Sequence, residues 1–175
     1  MTGEEISKAV EKIAVQIINK NKNIKDLVFI GIVTRGVHLA TRIINEIKKL
    51  KKLGLPLGML DITFYRDDVD SIGKQPLAKE TKIDFDINDK KVILVDDVLF
   101  TGRSIRAALD EIMDFGRPNS VELVVLIDRG HRELPVYAEY VGKTVKTNYS
   151  DKVHVHLKEI DKTDRVVLVS KKSSR

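Results

Sequence analysis

Lys91-Val-Ile-Leu-Val-Asp-Asp-Val-Leu-Phe-Thr-Gly-Arg-Ser104 is the stretch that decides the fold. Val92 to Val95 are apolar and mostly β-branched, which suits a strand buried on both faces. The adjacent carboxylates Asp96 and Asp97 fall where that strand should end. Thr101-Gly102-Arg103-Ser104 then leads into a helix marked by Ile105, Ala108, Leu109 and Ile112. In an open α/β sheet this order lies at the carboxyl edge of the strands, where ligands collect. N–H groups of the loop would point from the helix N-terminus at a phosphate dianion. Gly102 lets backbone approach the ligand, and the Thr101 and Ser104 hydroxyls add donors. Carboxylates only accept hydrogen bonds, so Asp96 and Asp97 suit a ribose diol. Neighbouring strand residues face opposite ways, which gives the two acids different roles. The expected ligand is a phosphorylated sugar.

Working outward, Ile6, Ala9, Val10, Ile13, Ala14, Ile17 and Ile18 recur at helical spacing and predict an amphipathic helix over 4–21. Leu27 to Val33 reads as a buried strand. Val37, Ala40, Ile43, Ile44 and Ile47 predict a second helix ending around Gly54. Leu60 to Tyr65 alternates like a strand. Residues 66–90 are polar, contain Gly73 and Pro76 and keep no period, which predicts a functional lid. Strand 91–95, helix 104–114, strand 121–127 and short strands near 153–157 and 165–169 complete the pattern. Strands alternating with helices predict a mainly parallel α/β sheet flanked by helices. The expectation is a single domain over 1–175, with the lid as an insert.

Composition bounds the partners. The chain has 175 residues, 42% hydrophobic and 33% charged, the profile of a globular protein. Its apolar runs are far shorter than the ~18 residues of a membrane span, and Met1-Thr-Gly-Glu-Glu-Ile6 does not read as a signal peptide. With no cysteine, disulfides and thiolate zinc sites are excluded, in keeping with a cytoplasmic setting. A net charge of +5 suits polyanionic partners. The excess at Arg42, Lys48, Lys49, Lys51 and Lys52 reads as a solvated helix end, where lysines complement the dipole.

The stretch 91–104 resembles the phosphoribosyl-pyrophosphate (PRPP) motif of type I phosphoribosyltransferases. Gly31-Ile-Val-Thr-Arg-Gly36, Asp61-Ile-Thr-Phe-Tyr-Arg-Asp-Asp68 and Val125-Leu-Ile-Asp-Arg-Gly-His-Arg-Glu-Leu-Pro135 are similar to the PyrR family, from about Ile6 to Val169. The resemblance implies a uracil phosphoribosyltransferase that makes UMP and pyrophosphate from uracil and PRPP, and that also binds pyrimidine-operon mRNA as an attenuator. Asp96, Asp97, Leu99, Phe100, Thr101, Gly102, Arg103 and Ser104 would hold the ribose and 5′-phosphate. Thr34, Arg35 and Gly36 would hold pyrophosphate, with Arg66 closing over it. Arg66, Asp96 and Asp97 would be catalytic, and Arg129 and backbone near Val153 would read the base. Mg²⁺ would arrive with PRPP rather than in a protein cage. A homodimer or higher oligomer is implied too. A regulator or PRPP-binding protein with lost or altered base specificity, such as a purine or orotate phosphoribosyltransferase, is the alternative. For RNA the resemblance leaves Lys12, His131, Arg132 and Lys143. The chain departs from the family at Glu11 and Val15, at Val33 where a Lys is frequent, and at Tyr137 in place of an Arg.

Overall fold

The computed structural model describes residues 1–63 and 81–170. Helix α1 (Gly3–Lys20) opens with a capping box, in which Thr2 and Glu5 satisfy each other's backbone N–H groups. Strand β1 (Leu27–Ile32) leads into α2 (Arg35–Lys51), which ends at Lys52 in a left-handed conformation. Then come β2 (Leu57–Leu60), β3 (Lys91–Leu99), α3 (Arg103–Phe115), β4 (Ser120–Asp128) and β5 (Tyr140–Thr144). Strands β6 (Lys152–His156) and β7 (Arg165–Val169), joined through the short α4 (Lys158–Asp161), form a separate antiparallel pair.

The five-stranded sheet is parallel throughout, in the order β2-β1-β3-β4-β5. Chain direction across the sheet therefore reverses between β1 and β3, and that switch point is where such sheets open a crevice. Alternation along the strands divides the core in two. Phe29, Ile93, Val95, Val124 and Leu126 pack under α1 and α2. Val28, Ile30, Val92, Leu94 and Val125 pack under Ile105, Ala108 and Ile112 of α3. Both faces are covered, which is why the strands read as unbroken apolar runs.

Three expectations need correction. The strand expected over Leu60–Tyr65 lies earlier, at Leu57–Leu60, because Leu57 to Leu60 pair with Phe29 to Ile32; Ile62 is buried but outside the strand. Residues 66–80 of the lid expected over 66–90 lie outside the described residues, and its last ten residues pack onto the body. Lys82 bridges to Met59, Ile87 is fully buried, and Thr81 donates to Glu111 on α3 while accepting from the Asp61 N–H. Finally, β5 was not foreseen: Tyr140-Val-Gly-Lys-Thr144 is short and carries a glycine, yet it closes one edge of the sheet.

Candidate active site

Two helices begin at the switch point without a cap from their N-cap side chains, although the Arg103 N–H at the start of α3 donates to the Thr101 hydroxyl at 3.4 Å. Neither α2 nor α3 has a side-chain cap on its N-cap residue or an acidic residue in its first turn, unlike α1 with its Thr2 cap, Glu4 and Glu5. An uncapped helix start offers backbone N–H groups to an anion. The start of α2 is pressed against the sheet. A Cβ built on Gly36 would lie 2.2 Å from the Val95 carbonyl oxygen, so only glycine fits there. The Val33–Thr34 peptide just before it is cis. At α3, the N-cap Gly102 has φ +93, a conformation that favours glycine. Thr101 meanwhile accepts hydrogen bonds from the N–H groups of Glu133 and Leu134, which ties the loop to the segment after β4.

Two cavities open over these helix starts. The smaller, about 290 Å³, is lined by Thr34, Arg35, Asp61, Asp96, Asp97 and Ser104, among others. The larger, about 690 Å³, runs from Asp96 along the Thr101–Ser104 loop to Arg129 and Val153. Asp96, Val98 and Ser104 border both, whereas Asp97 borders only the smaller one. The two adjacent acids therefore do occupy different positions. Burial pushes the Asp97 carboxyl above its ordinary value, and a hydrogen bond with Asp96 and the nearby Arg35 charge offset this only in part.

Arg129 forms one wall of the larger cavity. Its guanidinium lies 3.9 Å above the Phe100 ring. It donates to the carbonyl oxygens of Asp151 at 2.6 Å, Asn148 at 2.9 Å and Tyr149 at 3.2 Å. Burial lowers its pKa, opposed by Asp151 and Tyr149. Arg129 thus fixes the 148–151 turn that leads into β6, with Val153 beside it on the cavity. The Phe100, His131 and Tyr149 rings pack together behind the loop. Tyr149 donates to Glu133 at 2.5 Å, and Glu133 accepts from Arg103 at 2.8 Å. Tyr149 and Asp151 were missed in the sequence, where they carry no motif and stand far from Glu133 and Arg129; Glu133 lies within the 125–135 segment but was given no role there.

The site residues expected from sequence meet at this edge, except Arg66, which lies outside the described residues. The residues expected to face RNA divide. Lys12 and Lys143 are exposed, the latter 3.4 Å from Glu5. His131 is tied to the Thr147 carbonyl oxygen at 2.8 Å. Arg132 pairs with Asp128 at 2.5 Å and donates to carbonyl oxygens of Phe100 at 2.7 Å, Gly130 at 3.1 Å and Val136 at 3.1 Å. Among the described residues, no cluster of side chains is arranged to cage a metal ion, and no helix is long and apolar enough to cross a membrane.

Comparison with known proteins agrees with this architecture. The phosphoribosyl transferase domain family matches residues 2–160. The bifunctional protein PyrR of Caldicellulosiruptor bescii is 51% identical, over 96% of this chain and 92% of the relative. The bifunctional protein PyrR of Alkaliphilus metalliredigens is 54% identical over the same shares. In fold, the chain is similar to a hypoxanthine phosphoribosyltransferase of Staphylococcus aureus, with TM-score 0.68 and 24% identity, over 98% of this chain and 90% of that one.

Proposed function

The chain belongs to the bifunctional PyrR family of phosphoribosyltransferases, and from that premise we propose how its two cavities divide one reaction. The protein is a uracil phosphoribosyltransferase and a regulator of pyrimidine operons. In the transfer, N1 of uracil bonds to C1′ of PRPP as the C1′–O bond to pyrophosphate breaks and the N1 proton is lost. Positive charge grows on the ribose while negative charge grows on the leaving group.

The observation that carries the division is the pair of cavities meeting at Asp96 above two uncapped helix starts. The Thr101–Ser104 loop at the start of α3 binds the 5′-phosphate through its N–H groups and hydroxyls. Leu99 and Phe100 shape the approach to that loop. Asp96 and Asp97 accept the ribose hydroxyls, and Asp96 stands between sugar and base. Thr34, Arg35 and Gly36 receive pyrophosphate at the start of α2, and Arg66 adds a positive charge to the leaving group, stabilising the transition state electrostatically. Arg129, braced on Phe100, and the backbone near Val153 hold the uracil ring and its edge. Mg²⁺ would be held by the oxygens of PRPP and by water beside the acidic lining of the smaller cavity, since no cluster of described side chains is arranged to cage it. When bound with PRPP it neutralises charge on the pyrophosphate. The protein's own part is to orient the substrates, exclude water and stabilise the departing anion.

A base panel tests this reading: uracil, cytosine, hypoxanthine, guanine and orotate, each with PRPP and Mg²⁺. UMP is the expected product. A site hydrogen-bonded to a 2,4-dioxopyrimidine rejects cytosine by roughly 10⁴-fold, because buried partners go unpaired. A purine nucleotide as the main product would overturn it.

A further inference from the structure

The side chain of Arg35 is already held by a carboxylate from the other end of the chain. Its Nη2 donates to both oxygens of Asp161, at 2.9 and 3.0 Å. Nη2 is shared by the end-on and side-on forks of a guanidinium, so a carboxylate seated there occupies the nitrogen that any bidentate anion contact requires. Arg35 Nε is buried without a hydrogen-bond partner. Asp161 is itself fixed, because its Oδ2 accepts the Leu157 N–H at 2.9 Å. That bond, with Arg35 beside it, holds the Asp161 carboxyl below its ordinary value against the effect of burial. Asp161 lies in α4, directly after β6, whose Lys152, Val153 and His154 line the larger cavity.

We infer that Asp161 is a positioning residue for the pyrophosphate loop. By anchoring the Arg35 side chain it fixes the backbone of Thr34–Gly36, so that the N–H groups at the open start of α2 meet the anion. The same bond ties that loop to the strand that walls the base cavity. Asp161 lines neither cavity and reaches the smaller one only through Arg35. The inference rests on the assignment of Thr34–Gly36 to pyrophosphate, and the test separates the two.

Steady-state kinetics would be measured in both directions, with PRPP and uracil and with UMP and pyrophosphate, for Asp161→Asn, Arg35→Gln, the double variant and Glu159→Gln. Asp161→Asn is expected to raise KM for PRPP and for pyrophosphate by about tenfold or more, because a loosened loop must be ordered by its ligand. Its kcat and its KM for uracil stay within about threefold of wild type. The double variant is expected to be no worse than the worse single one, since both remove one bond. Glu159→Gln, which breaks only the neighbouring pair with Arg42, is expected to keep wild-type KM values. If Asp161→Asn does not fold, Arg35→Lys carries the test, keeping the charge but losing the fork. Normal KM values in Asp161→Asn beside impaired Arg35→Gln would overturn the inference, as would an equal rise in Glu159→Gln. Normal values in both Asp161→Asn and Arg35→Gln would instead reject the loop assignment.

Discussion

Burial disfavours a charge on Asp97, and the effect can be measured. Its carboxyl titrates above the ordinary value of 3.8 because desolvation outweighs the help from Asp96 and Arg35. A carboxylate raised in the folded state lowers stability wherever it is ionised, and that penalty vanishes once pH falls below the unfolded value. Asp97→Asn is therefore expected to melt higher than wild type near pH 7 and to lose that advantage near pH 3. Its turnover should fall by about 10²-fold if Asp97 accepts the ribose hydroxyls as proposed. Calorimetry across pH beside a UMP assay checks both; a variant that melts lower at pH 7 would contradict the account. Gly36 is the opposite case, a residue defined by what cannot be added. With the Val95 carbonyl oxygen 2.2 Å from a built Cβ, Gly36→Ala must move backbone on one side or the other. A loss of about 2 kcal/mol or more is expected in urea unfolding, together with impaired use of PRPP.

The β6–α4–β7 hairpin shows how a small element is held to a large one. Arg42 of α2 donates to Glu159 at 2.9 and 2.5 Å and to Asp164 at 2.7 Å, and Arg35, seven residues earlier on the same helix, holds Asp161. Arg42 keeps Glu159 below its ordinary value. Asp164 is lowered too: burial would raise it, but Arg42 and the Lys158 N–H outweigh burial. Depressed carboxylates add stability above the unfolded carboxylate range and lose it as pH falls through their lowered values. Amide exchange in 152–169 is accordingly expected to quicken below about pH 4, before that of 91–99, and Arg42→Gln should produce the same order at pH 7. Simultaneous loss of protection in both regions would sink this picture. None of these pairs was legible in the sequence, where Arg42 and Arg35 stand more than a hundred positions from their partners. What was legible is local. The run 91–104 holds strand, acids, loop and helix start within a few residues, and burial on both faces wrote each central strand as an apolar block. The strand misplaced at 60–65 and the overlooked β5 are edge elements, whose short segments carry weak patterns.

Across the whole molecule, the net charge of +5 would serve PRPP and, if the regulator acts by reading leader RNA, that second polyanion as well. The structure separates cations that could serve RNA from those already committed. Lys12 and Lys143 are exposed, on α1 and β5. Arg132, although basic and within the family segment, is turned onto carbonyl oxygens of Phe100, Gly130 and Val136 and onto Asp128, so it supports the Phe100–Ser104 loop from behind. Each phosphate contact adds nearly one unit to the slope of log affinity against log salt. Lys12→Ala and Lys143→Ala are expected to weaken leader binding and to reduce that slope by roughly one each, with UMP synthesis unchanged. Glu5 stands 3.4 Å from Lys143 and would compete with an RNA phosphate for it, so Glu5→Gln should strengthen binding at low salt. Arg132→Ala is expected to act the other way round, cutting transferase activity through the displaced Phe100–Ser104 loop. Gel shifts over a salt series, run beside the UMP assay, distinguish these roles. An Arg132→Ala protein with full transferase activity and no RNA binding would show that this guanidinium leaves its carbonyl partners to meet RNA. In that case Arg132, rather than the lysines of α1 and β5, would carry the RNA surface.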